Sequence, residues 1–291
     1  MPDQDVRLQL LQSWLEQCLP ALFEREGWGA VPPASLTPAS SDASFRRYFR
    51  WQAEGRSLIL MDAPPPQEDC RPFVRIAALL ADSGVHVPRI LAQDLEHGFL
   101  VLDDLGRQTW LEVLNADNAD ALFEQALQAL VRFQRMQGAD ALPPYDDALL
   151  RRELQLFPDW YLQRHLGVEL NEVQRDQWQR VCDLLVGSAL AQPRVFVHRD
   201  YMPRNLMLSE PNPGILDFQD AVHGPISYDV TSLFKDAFLS WPQARVETWL
   251  QRYYQLAGEA GIGLPSSFAE FQRASDLMGV QRHLKVMGIF A

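Results

Sequence analysis

Histidine, carboxylate and amide side chains are concentrated in one short stretch of the chain, VHRDYMPRNLMLSEPNPGILDFQD at residues 197–220. Its polar residues follow the spacing His198-x-Asp200-x₄-Asn205, and an Asp-Phe pair begins at Asp217. Phosphoryl transfer from a nucleotide needs a carboxylate that orients and deprotonates the acceptor hydroxyl, and oxygen ligands that hold Mg²⁺ on the phosphates. The residue types and their spacing therefore indicate phosphoryl transfer.

Short apolar runs lie before these polar residues, at 195–197, and between Asn205 and Asp217, at 206–208 and 215–216. Runs this brief are typical of buried strands and too short for helices. The polar side chains then lie in loops at strand ends, close to a core. One loop supplies a carboxylate at its start and an amide at its end, and the next strand brings a second carboxylate beside them.

The first hundred residues predict a small, mainly antiparallel sheet with one inserted helix. Apolar residues at helical spacing over 4–18 predict a leading helix that Pro20 ends or kinks. The strand patterns SFRRYFRW and RSLILMD flank a turn with Gly55 and predict a hairpin. A helix over 67–82 is stopped by Gly84, and the strands PRILAQD and GFLVLDD complete this part of the chain.

The composition becomes helical after Asp104, and we predict a sheet domain over 1–104 and a helical domain over 105–291. The stretch DDLGRQTW at 103–110 is the predicted hinge between them. HLKVMGIFA ends within an apolar helical pattern, so we expect the natural chain to continue past Ala291. The helical patterns of the second half cover 118–137, 147–165, 171–190, 228–239, 243–257 and 267–290.

The segment around Asp200 resembles the catalytic and metal-binding loops of the aminoglycoside phosphotransferase family, which shares the protein-kinase-like fold. The likeness extends over most of the chain, because sheet lobe, hinge and helical lobe follow in the family's order. It implies an α+β, bilobal fold with a small antiparallel sheet lobe and a larger, mainly helical lobe. It also implies ATP as donor, Asp200 as catalytic base, Asn205 and Asp217 as Mg²⁺ ligands, and His198 as a loop organiser.

Four further stretches, LTPASSDASFRRYFR, SLILMDAPPP, VLDDLG and FVHRDYMPRNLM, resemble the branch of this family that contains the bacterial cell-wall sugar kinases. Those enzymes phosphorylate the anomeric hydroxyl of N-acetylmuramate and N-acetylglucosamine during wall recycling. Two alternatives stay open on the residues alone. One is a phosphotransferase of the same fold that acts on an aminoglycoside, choline or another small alcohol, and the other is a non-catalytic, nucleotide-binding pseudokinase.

The predicted nucleotide loop departs from the protein-kinase pattern. It has no Gly-x-Gly-x-x-Gly, and the sheet lobe contains no lysine to grip the phosphates. Ser40, Ser41 and Ser44 offer hydroxyl and backbone donors to phosphate in its place.

Three arginines of the following strand are candidates for the missing positive charge. Strand alternation places Arg46 and Arg50 on one face of the sheet and Arg47 on the other. The alternative is that they are ordinary exposed arginines of a hairpin.

The hinge and the catalytic loop supply the remaining candidates. The resemblance implies that backbone groups of Leu102, Asp103 and Leu105 lie against adenine, whereas Asp103 with its neighbour would otherwise cap the next helix. Arg204 and Asp220 are predicted to face the acceptor, with a local salt bridge as the alternative.

Composition and charge argue against nucleic acid and a membrane as partners. With 26 basic and 38 acidic residues the formal net charge is −12, which argues against nucleic acid as a partner. No apolar run reaches about 18 residues and no basic segment opens the chain, so we predict neither a membrane span nor a secretory signal. We expect a cytoplasmic protein with no obligate protein partner indicated, and the resemblance implies that it binds an amino sugar and ATP.

Overall fold

A division after Gly106 separates the chain into two units in the computed structural model, which describes residues 5–41 and 45–291. The first unit comprises Met1–Ala81 and Val87–Gly106, and the second comprises Asp82–His86 and Arg107–Ala291. Residues 104–106 belong with the first unit because the Arg50 guanidinium donates to the Gly106 carbonyl at 2.8 Å. The sequence placed this boundary at residue 104.

The first unit is built on a five-stranded antiparallel sheet, whose strands are β1 Ser35–Ser41, β2 Arg47–Ala53, β3 Arg56–Asp62, β4 Ile90–Asp94 and β5 Phe99–Asp103. Their order in the sheet is β1-β2-β3-β5-β4. The predicted hairpin is confirmed, because β2 and β3 pair from Arg47↔Asp62 to Ala53↔Arg56 around Gly55, whose φ is 70°. A positive φ is freely available to glycine, which suits this residue to the turn. A helix, α2, covers Arg71–Asp82.

Helix α1 covers Val6–Arg25 and continues through Pro20, so of the two predicted outcomes, an end or a kink, the helix end is wrong. Proline removes one helical hydrogen bond and costs roughly 3 kcal/mol in a helix interior. Burial outweighs this cost here, since α1 residues on both sides of Pro20 pack against the sheet. The α1 residues of this core are Leu11, Leu15, Leu19, Leu22 and Phe23, and they meet Phe49, Trp51, Leu58, Leu60, Leu91, Phe99 and Val101.

The second unit is mainly helical, and all six helical patterns read from the sequence are helices in it. The pattern at 147–165 changes from α-helix to π-helix at Phe157, where the next residue, Pro158, has no N–H to donate. The helices are α3 Trp110–Val113, α4 Ala119–Gln134, α5 Asp147–Leu156, the π-helical segment Phe157–His165, α6 Glu172–Leu190, α7 Ser227–Phe234, α8 Gln243–Glu259 and α9 Phe268–Ile289.

Two short antiparallel pairs interrupt these helices: β6 Arg194–Val197 with β9 Val222–Pro225, and β7 Leu206–Met207 with β8 Gly214–Ile215. The three apolar runs predicted as buried strands are confirmed as β6, β7 and β8. The sequence did not predict the fourth strand, β9. The short segment Asp82–His86 belongs to this unit because the Ile215 N–H donates to the His86 carbonyl at 2.8 Å. Throughout the described ranges, no helix is both long and apolar enough to span a bilayer.

Candidate active site

The β7–β8 pair brings the predicted amide and the second carboxylate together. Leu206 pairs with Ile215, and just beyond this pair the Leu216 N–H donates to the Asn205 carbonyl at 2.9 Å. Asn205 and Asp217 therefore leave adjacent strands at the same end. The Asn205 amide nitrogen lies 3.4 Å from Asp217 Oδ2.

Hydrogen bonds also join the end of the catalytic loop, at Asn205, to its beginning, at His198 and Asp200. The Asn205 amide nitrogen donates to the Asp200 carbonyl at 2.9 Å, and the Asp200 N–H donates to His198 Nδ1 at 3.3 Å. Asp200 is half-buried, as are Asn205 and Asp217. The structure thus gathers the three residues predicted from the sequence into one cluster, with partly accessible side chains.

His198 organises this loop as a neutral ring. It is fully buried, and burial lowers the pKa of its imidazole to about 4, although the charge of Asp200 acts in the opposite direction. A neutral ring can accept at Nδ1, as the hydrogen bond from the Asp200 backbone requires. The predicted organising role agrees with this geometry, and a proton-transfer role is not needed.

Asp229 of α7 holds the backbone of the catalytic loop through two hydrogen bonds. Its two carboxylate oxygens accept the backbone N–H groups of His198 at 2.7 Å and Arg199 at 3.0 Å. Arg199 adopts a φ of 77°, a left-handed conformation that costs a non-glycine residue roughly 1–2 kcal/mol. Asp229 therefore holds strained backbone immediately before Asp200.

Asp217 is the second residue of the site with left-handed backbone, at a φ of 62°. Its Oδ1 accepts from the Gln219 side chain at 2.8 Å. Mg²⁺ bound to a nucleotide uses one or two protein ligands beside phosphate and water oxygens. Asp217 and the Asn205 amide oxygen, whose nitrogen is engaged by the Asp200 carbonyl, form a donor set that fits this ion.

A buried ionic cluster lies behind the loop, and the sequence did not indicate it. The Glu153 carboxylate, on α5, pairs with the Arg199 guanidinium and with Lys285 Nζ at 3.2 Å. It also accepts from the Gln281 amide at 3.1 Å and from the Tyr145 hydroxyl. The one available signal was that Lys285 is among only two lysines in the chain.

The predicted acceptor residues lie at the exposed side of these loops. Arg204 packs its guanidinium over the ring of Phe238, with 5.1 Å to the ring centroid. Asp220 is exposed, and its backbone carbonyl lies 3.5 Å from Arg199 Nη1. Their predicted contact with the acceptor stays a prediction.

Of the predicted phosphate-loop serines, Ser40 and Ser41 form the end of β1, where their backbones pair with Tyr48 and Arg47. Ser44 lies outside the described residues. The serine residues therefore stay candidates for phosphate binding.

Each of the three candidate arginines meets a carboxylate of its own unit. Arg47 binds the fully buried Asp62, with nitrogen to oxygen distances of 3.0 and 2.6 Å, and also Asp5. On the opposite face of the sheet, as strand alternation predicted, Arg50 binds Asp104 at 2.7 and 3.1 Å.

Arg46 Nε lies 3.8 Å from the Glu68 carboxylate. The ion pairs fix the positions of these side chains, and nucleotide binding by Arg46, Arg47 or Arg50 stays a prediction.

The hinge residues are fixed by backbone and ionic contacts. Leu102 and Leu105 are buried, while Asp103 accepts from the Arg89 N–H at 2.6 Å. The alternative that Asp103 caps the next helix is wrong, because α3 begins later, where the Thr109 N–H donates to Glu112 at 2.7 Å.

The sequence as a whole is similar to characterised families. Residues 35–271 match the model of the phosphotransferase enzyme family. An N-acetylmuramate/N-acetylglucosamine kinase of Pseudomonas aeruginosa is 72% identical over 287 residues, which cover 99% of this chain and 85% of that protein. A protein of the same name from Pseudomonas putida is 65% identical over 291 residues, covering 100% of this chain and 86% of that one.

A solved structure supports the fold independently. The GDP complex of aminoglycoside 2'-phosphotransferase-IIIa aligns with a TM-score of 0.61 at 14% identity, over 91% of this chain and 88% of that one. Likeness at this level concerns the fold alone, and it agrees with the predicted α+β, kinase-like architecture. With the family model matching most of its length, this chain belongs to the phosphotransferase enzyme family.

Proposed function

We propose that this protein is an ATP-dependent kinase that phosphorylates the anomeric hydroxyl of N-acetylmuramate or N-acetylglucosamine. The observation that carries the proposal is the 72% identity, over 99% of this chain, with a protein named N-acetylmuramate/N-acetylglucosamine kinase. The cluster of Asp200, Asn205 and Asp217 supplies the groups that such a reaction requires. A cytoplasmic location stays a prediction from the sequence.

In this proposal Asp200 acts as the base. Its carboxylate orients the acceptor hydroxyl and takes its proton, while the hydroxyl oxygen bonds to the γ-phosphorus and the bond from that phosphorus to the bridging oxygen of ADP breaks. The products are a sugar phosphate and ADP, and the proton rests on Asp200 until solvent removes it. His198 and Asp229 hold the loop that aims this carboxylate.

Asn205 and Asp217 would hold Mg²⁺, as their oxygen donors permit. When bound, this ion neutralises charge on the nucleotide phosphates. The side chains of Asn205 and Asp217 are also held in position, because Asn205 donates to the Asp200 carbonyl and Asp217 accepts from Gln219.

The anomeric position suits a carboxylate base. An anomeric hydroxyl is more acidic than the other hydroxyls of the ring, so the proton passes to a base of modest pKa with less cost. In this proposal Asp200 supplies a carboxylate for that step. The expected product is therefore a sugar 1-phosphate.

The test uses the loss of the reducing end. A 1-phosphate has no free reducing end, whereas a 6-phosphate retains one. With Mg·ATP and either sugar, we expect reducing power to fall in step with ADP formation and phosphorus NMR to show coupling to the anomeric proton. A product that still reduces, or turnover only with an aminoglycoside or choline as acceptor, would contradict the proposal.

A further inference from the structure

Helix α9 places two cations in the interior behind the catalytic loop. Arg282 is only 5% exposed and Lys285 is nearly as well covered, although burying a charge is costly unless it is paired. Lys285 is accounted for by Glu153 and by the Tyr228 hydroxyl at 3.4 Å. Arg282 shares the contact with Tyr228 but, unlike Lys285, also donates to the backbone of the catalytic loop, which points to a different role.

Arg282 bonds to the catalytic loop itself. Its Nη1 donates to the Arg199 carbonyl at 3.1 Å, and this oxygen belongs to the peptide that joins Arg199 to Asp200. The guanidinium also lies over the Tyr228 ring, 4.9 Å from the centroid. Asp229 accepts the N–H groups of His198 and Arg199, which come before this peptide in the chain. Asp229 and Arg282 therefore hydrogen-bond to consecutive backbone groups of the catalytic loop.

The charge of Arg282 is not matched within the Glu153 cluster. One carboxylate, Glu153, already faces both Arg199 and Lys285. Three carboxylates outside that cluster attract Arg282: Asp200, Asp229 and Asp236. Its Nε–H is buried and has no hydrogen-bond partner within the described ranges. The positive charge of Arg282 therefore acts on the carboxylate that the proposed reaction uses, Asp200.

We propose that Arg282 is a positioning residue for Asp200: it fixes the Arg199–Asp200 peptide by hydrogen bonding and aims the Asp200 carboxylate by attraction. This inference rests on the proposed role of Asp200 as base. Helix α9 thereby takes part in the reaction although its residues are distant in sequence from the catalytic loop. Small displacements of a reacting group lower turnover by up to about a hundredfold.

The experiment compares Arg282→Met, Arg282→Lys and the control Lys235→Met, each as the full chain and checked for folding by circular dichroism. Met keeps much of the side-chain volume and removes the charge and the donors, whereas Lys keeps the charge and an ammonium group that can donate. Lys235→Met removes a half-buried cation whose ion pair is with Asp276 of α9 and not with the cluster around Glu153. We expect kcat to fall about 10- to 100-fold in Arg282→Met, with the KM for ATP within about threefold.

Arg282→Lys should recover at least threefold in kcat over Arg282→Met, and Lys235→Met should stay within about threefold of the parent. A folded Arg282→Met with kcat within threefold of the parent, or an equal loss in Lys235→Met, would overturn the inference. If Arg282→Met does not fold, Arg282→Lys is compared with the parent to test the inference. Lys lacks the second arm of the guanidinium, so this variant should have a measurably lower kcat with KM unchanged.

A double variant separates this inference from the proposed function. If Arg282 acts through Asp200, adding Arg282→Met to Asp200→Asn should lower the residual rate by less than twofold, because effects that pass through one group do not add. A further tenfold loss would refute the positioning role. An Asp200→Asn enzyme with near-normal turnover would instead refute the assignment of the base.

Discussion

A buried carboxylate beneath the catalytic loop sets a pH dependence of folding that can be measured. Asp229 is fully buried, and its two oxygens accept the N–H groups of His198 and Arg199. Burial raises the pKa of Asp229 from 3.8 to about 7, against the opposing effect of these hydrogen bonds. Folding therefore favours the protonated carboxyl group.

The sign of the effect follows from proton binding. In the window between the two pKa values the folded protein keeps a proton on Asp229 that the unfolded chain has released. The stabilising contribution is fully present below the unfolded pKa and is lost as the pH rises through the folded pKa. The slope in this window is about 1.4 kcal/mol per pH unit, so the loss between pH 5 and 8 sums to roughly 2–3 kcal/mol.

The perturbation is Asp229→Asn, which cannot ionise. The Asn oxygen replaces one acceptor, but its NH₂ group faces the second backbone N–H, and an unsatisfied buried donor costs about 1–3 kcal/mol. At pH 5 the variant should be less stable than the parent by at least this amount. The difference in the free energy of unfolding should then shrink by roughly 2–3 kcal/mol as the pH rises to 8.

Urea unfolding of both proteins at pH 5, 6, 7 and 8 measures this difference, which cancels the titration of groups that they share. Asp220→Asn is the matched control, because it makes the same chemical change at an exposed carboxylate of the same unit. A difference that stays constant with pH, or grows as the pH rises, would refute the assignment of a raised pKa to Asp229.

Two further changes test the proposed site. Asp200→Asn should leave the fold and Mg·ATP binding intact while kcat falls at least about a hundredfold, as steady-state kinetics and calorimetry would measure, because a general base contributes 10²–10⁴. Near-normal turnover would show that the base is elsewhere. Asp217→Ala should abolish the part of ATP affinity that depends on Mg²⁺, measured by titrating ATP with and without the ion, and an unchanged Mg²⁺ dependence would remove Asp217 from the metal site.

The clustering of Asp200, Asn205 and Asp217 was predictable because it is local. These residues lie within one short segment, and brief apolar runs before and between them form strand β6 and strands β7 and β8. Pairing of neighbouring strands brings their ends together, so residue order alone places the side chains near one another. The helices of the second unit were predictable for a related reason, since a repeating apolar pattern specifies a helix.

The course of α1 through Pro20 was not predictable from the local pattern. Proline disfavours a helix interior, and only the packing of Leu19, Leu22 and Phe23 against the sheet makes continuation favourable. The ion-pair partners of Arg47 and Arg50 were likewise not predictable from the local pattern. Alternation gave the face of the sheet on which each lies, but the buried carboxylates they bind, Asp62 and Asp104, come from other strands and the hinge.

The sequence by itself determined the chemistry of this protein, and the tertiary structure decided how that chemistry is held in place. The proposed reacting residues can be recognised in the sequence by their types and their spacing within one short segment. Their supports, Glu153 on α5, Asp229 on α7 and Arg282 on α9, come from helices far apart in the chain and carry no local pattern. Only the packing of those helices removes water from these charged groups and leaves the catalytic loop as their hydrogen-bond partner.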